Sequence, residues 1–204
     1  MYPIMLNLSN IRILLVGSGE LFDRRKQALL ENRATKLVFF EDTLPEAHEI
    51  RQANVVMIVG LDDQTSAVLA SIGRLQGVLV HVEDKNELCD FYCTSFIKRG
   101  DLTIAVSTAG ASPTLGQEIR SYLANIFCEE WGYIVDKIGK KRLEWKGQGL
   151  KGSAIGEKTR ALIKQLQLFD RDYESHNTHH SSIDENLTYL TQTQLVNHDA
   201  RIAN

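Results

Sequence analysis

The stretch Ile11-Arg12-Ile13-Leu14-Leu15-Val16-Gly17-Ser18-Gly19-Glu20-Leu21 decides the fold. An apolar run broken only by Arg12, followed at once by two glycines around a serine, reads as a buried strand turning sharply into a helix. A run without alternation belongs to a strand covered on both faces, which is the condition of a parallel sheet. Downstream, Glu20–Asn32 sets Leu21, Ala28 and Leu29 at helical spacing, and Lys36–Phe40 is again apolar and extended, completing a βαβ unit.

The alternation continues along the chain. Val55–Val59 reads as a third strand, Thr65–Leu75 as an amphipathic helix, Val78–Val82 as a fourth strand and Leu102–Val106 as a fifth. Strands alternating with helices imply parallel pairing. The expected class is therefore α/β, with a Rossmann-like parallel sheet domain over 1–111. Ser112-Pro113 then opens a helix, serine capping it and proline taking the first position, where its missing N–H costs nothing. Leu115, Ile119, Leu123 and Phe127 repeat at helical spacing, and beyond Glu129 so do Trp131, Ile134 and Ile138, then Ala161, Leu162, Leu166 and Leu168. These patterns predict a helical region over 112–170, with the basic stretch from Lys140 to Lys151 as a solvated connector. After Phe169 the chain turns to Asp, Asn, His, Ser and Thr, so 171–204 reads as a polar, mobile tail with at most a short helix near Leu187–Leu195.

Bulk properties narrow the function classes. With 204 residues, 43% of them hydrophobic, the chain can bury a domain core, and a formal net charge of -3 offers no general attraction to nucleic acid or anionic lipid. No apolar run approaches the roughly 18 residues of a membrane span, and the first eight residues carry no basic leader or cleavage site. The expectation is a cytoplasmic protein with neither a membrane nor a nucleic-acid partner. Cys89, Cys93 and Cys128 follow no metal-ligand spacing and read as free thiols, while His176, His179 and His180 fall in the polar tail, so no metal site is expected.

In an open parallel sheet, ligands bind beyond the carboxyl ends of the strands. Four such ends carry loop chemistry here: Gly17-Ser18-Gly19, Leu61-Asp62-Asp63, Asp84, and Ser107-Thr108-Ala109-Gly110-Ala111-Ser112-Pro113. The glycine loop has the strand-to-helix setting of a dinucleotide fingerprint, in which the second glycine lets a pyrophosphate approach the helix N-terminus. Phe22, however, occupies the place of the third small residue, and Glu20 adds a carboxylate. The motif alone fits an empty structural turn as well as a nucleotide site. Glu41 and Asp42 stand where an acidic side chain would accept hydrogen bonds from a ribose diol, which favours NAD over NADP, or else they begin a surface turn before Thr43-Leu44-Pro45.

Taken together, several segments resemble the precorrin-2 dehydrogenase family, also found as the N-terminal module of sirohaem synthase. They are Met1-Tyr2-Pro3, Leu6-Asn7-Leu8, Val16-Gly17-Ser18-Gly19 with Arg24-Arg25-Lys26, Leu61-Asp62-Asp63, Leu88-Cys89-Asp90-Phe91, Lys98–Thr108 and Gly110-Ala111-Ser112-Pro113. The resemblance runs from Met1 to about Phe169 and is most specific from Cys89 to Pro113. It implies oxidation of precorrin-2 to sirohydrochlorin with NAD+, in some members followed by ferrous insertion to give sirohaem, in a homodimer.

By the same resemblance Asp84 matches the catalytic aspartate. Gly17, Ser18, Gly19, Glu20, Leu21, Glu41, Asp42, Leu61 and Asp62 match the cofactor side, and Ser107, Thr108, Gly110 and Ser112 the segment beside the tetrapyrrole. Dehydrogenation removes a hydride and a proton from neighbouring positions, so it needs a nicotinamide against one carbon and a base near the other proton. Asp84 is the natural base, and the small Ser/Thr/Gly loop could donate N–H and O–H groups to substrate carboxylates. Departures from the pattern include Phe22, Ala109 where glycine is common, Cys93-Thr94, and a connection of fourteen residues, Glu41–Asn54, where the family fits a helix and an additional strand. They leave two alternatives: a chelatase without efficient NAD binding, and a noncatalytic tetrapyrrole-binding homologue.

Overall fold

The computed structural model describes residues 2–169. The expectations for the 171–204 tail, including a helix near Leu187–Leu195, lie outside the described residues. Four strands, β1 (Arg12–Gly17), β2 (Lys36–Glu41), β3 (Val55–Val59) and β4 (Leu79–Val82), form one parallel sheet in the order β2-β1-β3-β4. The chain runs outward from β1 to β2, then crosses back to lay β3 on the other side of β1. The strand order thus reverses between β1 and β3, and a crevice at the carboxyl ends belongs there.

Alternate residues of the strands supply two cores. Leu14, Val16, Val56, Ile58, Val80 and Val82 face one side, where they pack with Ile50, Leu69 and Ala70 of α2 (Ala47–Ile50) and α3 (Asp63–Leu75). Ile13, Leu15, Val55, Met57 and Val59 face the other, with Phe22 and Leu29 of α1 (Gly19–Glu31). Helices on both faces make the sheet Rossmann-like, as the unalternating apolar runs require. Phe22 finds a use here that the glycine-loop pattern did not reveal. Its ring is wholly buried in the α1-side core and meets Phe39 edge-on, with centroids 6.2 Å apart. The short link after β2 holds a single helical turn, α2, closed by reciprocal bonds between Glu46 and Glu49, and the sheet ends at β2 without a further strand.

One expectation fails. Leu102–Val106 is not a fifth parallel strand: it forms β6 of an antiparallel hairpin with β5 (Ser95–Arg99), a strand the periodicity did not reveal. The cause is the two-residue link Gly100-Asp101, with Gly100 at φ 57, which can only reverse the chain. A parallel return would need a crossover of a dozen residues or more. Compact packing accordingly divides the chain differently from a cut at residue 111. Among the described residues, one unit holds the chain up to Thr94 together with Ser107–Leu115, and the other holds the hairpin and the chain from Gly116 to Phe169.

The second unit contains α5 (Glu130–Gly147), α6 (Gly152–Gln165) and most of α4 (Pro113–Ile126). Gly100 and Gly132 of α5 approach closely, since a Cβ on either would stand 3.2 Å or less from the other segment's backbone. Arg99 donates to the Phe127 carbonyl at 2.8 Å and pairs with Glu129 at 3.0 Å, fastening the hairpin to the start of α5. Lys140–Lys146 lies inside α5 rather than in a connector, which leaves Gln148–Lys151 as the link. Among the described residues no helix is long and apolar enough to cross a membrane.

Because Phe22 is core, Phe22→Ala should destabilise the fold by about 3–5 kcal/mol, the cost of emptying a buried aromatic site. Urea unfolding measures this, and a loss under about 1 kcal/mol would show that the ring is dispensable.

Candidate functional site

The carboxyl edge of the sheet gathers Gly17, Glu41, Val59 and Val82, and the loops that follow them carry most of the candidate residues. At the reversal point the backbones nearly touch. A Cβ on Gly17 would stand 1.8 Å from the Val59 carbonyl oxygen, and one on Gly60 would stand 2.4 Å from that of Ser18. Ser18 Oγ donates to the Gly60 carbonyl at 3.3 Å and makes no capping bond to α1. The first N–H groups of α1 are therefore left without a side-chain cap, and over Gly19, at φ 71, a Cβ would meet nothing within 4 Å. An uncapped helix start with open space over a glycine suits an approaching phosphate. Glu20 is exposed in that first turn, and half-buried Leu21 packs onto the α1-side core.

The neighbouring helix start is closed. Asp62 caps α3, accepting the Thr65 N–H at 2.8 Å and its hydroxyl at 2.7 Å, bonds that hold the carboxyl below its usual range. Leu61 packs on the α3-side core. At the end of β2, Glu41 pairs with Lys26 at 3.6 Å, and Asp42, at φ 55, donates its N–H to the Gly17 carbonyl at 3.1 Å. From the end of β2 to the end of β4 is three strand spacings, roughly 14 Å.

Asp84 follows β4 as an exposed residue in the left-handed region, φ 61. Asn86, two residues on, lies beneath the loop after β6: a Cβ on Gly110 would come within 2.6 Å of the Asn86 amide nitrogen. The Asp84 turn and the Ser107–Pro113 loop thus meet in one compact unit. The loop spends part of its polar inventory on itself. Thr108 Oγ1 both donates to the Ser112 carbonyl (3.0 Å) and accepts its N–H (3.2 Å), so that hydroxyl has no proton left to donate. Ser107 Oγ accepts from Ala109, and Ser112 Oγ caps α4 by accepting from Leu115, both at 3.2 Å. Each of these two hydroxyls therefore keeps its O–H as a donor. Ala109 sits at φ 53, which explains why glycine suits that place.

Sequence reasoning missed the groups flanking Asp84. Glu83 pairs with Arg25 of α1 and lies 3.4 Å from Nε2 of His81. His81 is 6% exposed, its Nδ1 3.2 Å from the Phe91 carbonyl oxygen. Nε2 lacks a well-aligned hydrogen bond, so its attraction to Glu83 is a short-range charge pairing. Burial alone would lower the His81 pKa, but Cys93 and Glu83 outweigh it and push it up to about 10. The same histidine, against the desolvation of Glu83, joins Arg25 in holding that carboxyl down to about 2. The visible signals were a histidine inside an apolar strand and the run of three charged residues Glu83-Asp84-Lys85. All three cysteines are free, with Cys93 exposed.

Several known proteins share parts of this sequence or its fold. Residues 4–95 match a family model described as NAD(P)-binding, and residues 99–125 match the central segment of a sirohaem biosynthesis protein. A siroheme synthase from Methylococcus capsulatus is 28% identical over 150 residues, covering 65% of this chain and 32% of that protein. One from Mannheimia succiniciproducens is 28% identical over 165 residues, covering 72% and 35%. The chain thus spans about a third of the length of the curated relatives it matches. A solved structure of SirC, a precorrin-2 dehydrogenase, shares the fold with a TM-score of 0.63 at 18% identity, covering 94% of this chain and all of its own.

The His81–Glu83 cluster sets a pH dependence of stability. His81 titrates higher when folded than its ordinary 6.5, so its contribution is whole below pH 6.5 and is lost as pH rises towards about 10. Glu83 titrates below its ordinary 4.5, so its contribution is whole above pH 4.5 and is lost as pH falls towards about 2. Urea unfolding across pH should show wild-type stability declining on both flanks and Glu83→Gln giving a flatter profile; parallel curves would exclude Glu83 as their source.

Proposed function

We propose that this chain, which matches an NAD(P)-binding model over 4–95 and a sirohaem-biosynthesis segment over 99–125, oxidises precorrin-2 to sirohydrochlorin with NAD+ as hydride acceptor. The observation that carries the reading is a convergence within one unit. An uncapped, glycine-opened helix start stands two strands from an exposed carboxylate, which in turn adjoins a loop with hydroxyl donors to spare.

The residues present fit a dinucleotide. The N–H groups at Gly19, Glu20 and Leu21 would hold the pyrophosphate, with Gly17 and Ser18 shaping the turn, and Glu41 and Asp42 would take the ribose hydroxyls. Leu61 and Asp62 would border the nicotinamide side at the end of β3. The span of roughly 14 Å from β2 to β4 suits a cofactor whose adenosine lies at one end and whose nicotinamide lies near Asp84 at the other. When bound, NAD+ supplies the hydride acceptor. Asp84 accepts the proton released from the neighbouring macrocycle position, so the substrate loses one hydride and one proton in all. Ser107, Ser112 and the backbone at Gly110 donate to substrate carboxylates, while Thr108 keeps the loop in shape.

Ferrous insertion into sirohydrochlorin is a second reaction that Asp84 could serve, by taking pyrrole protons as Fe2+ enters as substrate. A homodimer also fits: Ile119, Tyr133 and Leu143 expose apolar surface in the second unit that a partner copy would cover.

Anaerobic assay with precorrin-2 tests the reading directly. Sirohydrochlorin should form only when NAD+ is added, and Asp84→Asn should reduce turnover about 10²–10⁴-fold while leaving NAD+ titration unchanged. Iron insertion without any NAD+-dependent oxidation would favour the chelatase reading, and equal loss of both properties would remove Asp84 from its role. NAD+ should bind more tightly than NADP+, with Glu41→Ser narrowing the preference; tighter NADP+ binding would overturn the assignment of Glu41.

A further inference from the structure

The short segment around Asp84 is fastened on both sides to different helices, and the fastenings come from its immediate neighbours. On one side the Glu83 N–H donates to the Ile58 carbonyl at 2.9 Å, and its carboxylate pairs with Arg25 of α1. On the other, the Lys85 ammonium donates to the Leu61 carbonyl at 3.2 Å and to Ser66 Oγ at 3.0 Å, and pairs with Asp63 at 2.8 Å. Lys85 is therefore tied three ways to the start of α3 and the loop before it, and its three ammonium protons are all used.

The three partners differ in weight. Asp63 is 97% exposed, so its ion pair with Lys85 is screened and holds little. Ser66 is buried at 1%, and the Leu61 carbonyl lies beside it in the turn that leads into α3. Those neutral acceptors fix the ammonium in place, and the half-buried stem of Lys85 follows. Between the two fastenings Asp84 adopts φ 61, a left-handed conformation that L-residues rarely take without support from their surroundings.

We propose that Lys85 is a positioning residue: by bonding to the Leu61 carbonyl and Ser66 it holds Asp84 in its left-handed turn at the carboxyl edge of the sheet. The proposal rests on the reading of Asp84 as the proton acceptor. Lys85 touches neither substrate nor cofactor in this scheme. It acts through the backbone it shares with Asp84, and it couples the end of β3 to the end of β4, so the cofactor-side loop and the base keep a fixed separation.

The test uses the full chain with precorrin-2 and NAD+. Lys85→Met keeps the stem and removes the ammonium, and should lower kcat by about 10²-fold, the penalty of a reacting group misplaced by roughly 1 Å, with KM for NAD+ changed less than about twofold. Ser66→Ala removes one acceptor within intact packing and should give a smaller loss of the same kind. Amide hydrogen exchange over 83–88 should quicken in both variants and not in Asp84→Asn. On the Asp84→Asn background Lys85→Met should cost nothing further, because there is no base left to place. If Lys85→Met leaves kcat unchanged, or costs the same factor with and without Asp84, the positioning role is wrong while the reading of Asp84 stands. Full turnover by Asp84→Asn would remove that reading and the inference with it.

Discussion

β1 and β3 leave the sheet so close together that neither Gly17 nor Gly60 has room for a side chain, and the rest of the edge is arranged around that contact. Two strands can run out side by side at this separation only if the turns after them part in opposite directions, one into α1 and the other into α3. The helix starts therefore flank the reversal point. Ser18 turns its hydroxyl towards the Gly60 carbonyl and makes no capping bond to α1, whereas Asp62 accepts from Thr65 at the start of α3. Of the two helix starts that flank the reversal point, α1 is thus the one without a side-chain cap, at the place where the order of strands opens a crevice.

The outer side of β4 shows how the sheet ends without an exposed edge. Asp90 accepts the Val80 N–H at 2.9 Å and returns its own N–H to the Val80 carbonyl at 2.8 Å, while Cys89 Sγ accepts the Val82 N–H at 3.2 Å. Arg74 of α3 holds this strip in place through Asp90 and the Leu88 carbonyl. The Leu88-Cys89-Asp90-Phe91 sequence is thus an edge cover whose side chains take over ladder bonds, which limits unwanted pairing. It also sets the short path on which Asp84 sits, since the chain must turn straight from β4 into its own cover.

What could be read from the sequence divides along physical lines. The four parallel strands were legible because strands buried on both faces leave unbroken apolar runs, and the capped start at Ser112-Pro113 because its signal is local. The hairpin was not, since β5 mixes Ser95, Lys98 and Arg99 with Phe96 and Ile97, and only the Gly100-Asp101 link betrays it. Phe22 was misjudged for a similar reason: a glycine-loop pattern describes the turn, not the core behind it. Asp84, Glu41 and the Ser107–Pro113 loop stand out as candidates from their places at strand ends. The pairing of Arg25 with Glu83 spans 58 positions, and no local pattern announces it. Lys85 stood in plain view beside Asp84, but its acceptors are a backbone carbonyl and a buried serine, which carry no charge signal.

The tethers on either side of Asp84 also bear on how such a chain can diverge. A single insertion between Glu83 and Lys85 would shift one anchor by about 3.3 Å against the other, and no side-chain change nearby could absorb it. Indels should therefore be excluded from that segment even where its residues change freely. The link between β2 and β3 is tied at its ends, by the Asp42 N–H on the Gly17 carbonyl and by Asn54 against Arg12, and between them it holds one helical turn. Length, more than residue identity, is the quantity that the two anchors around Asp84 constrain.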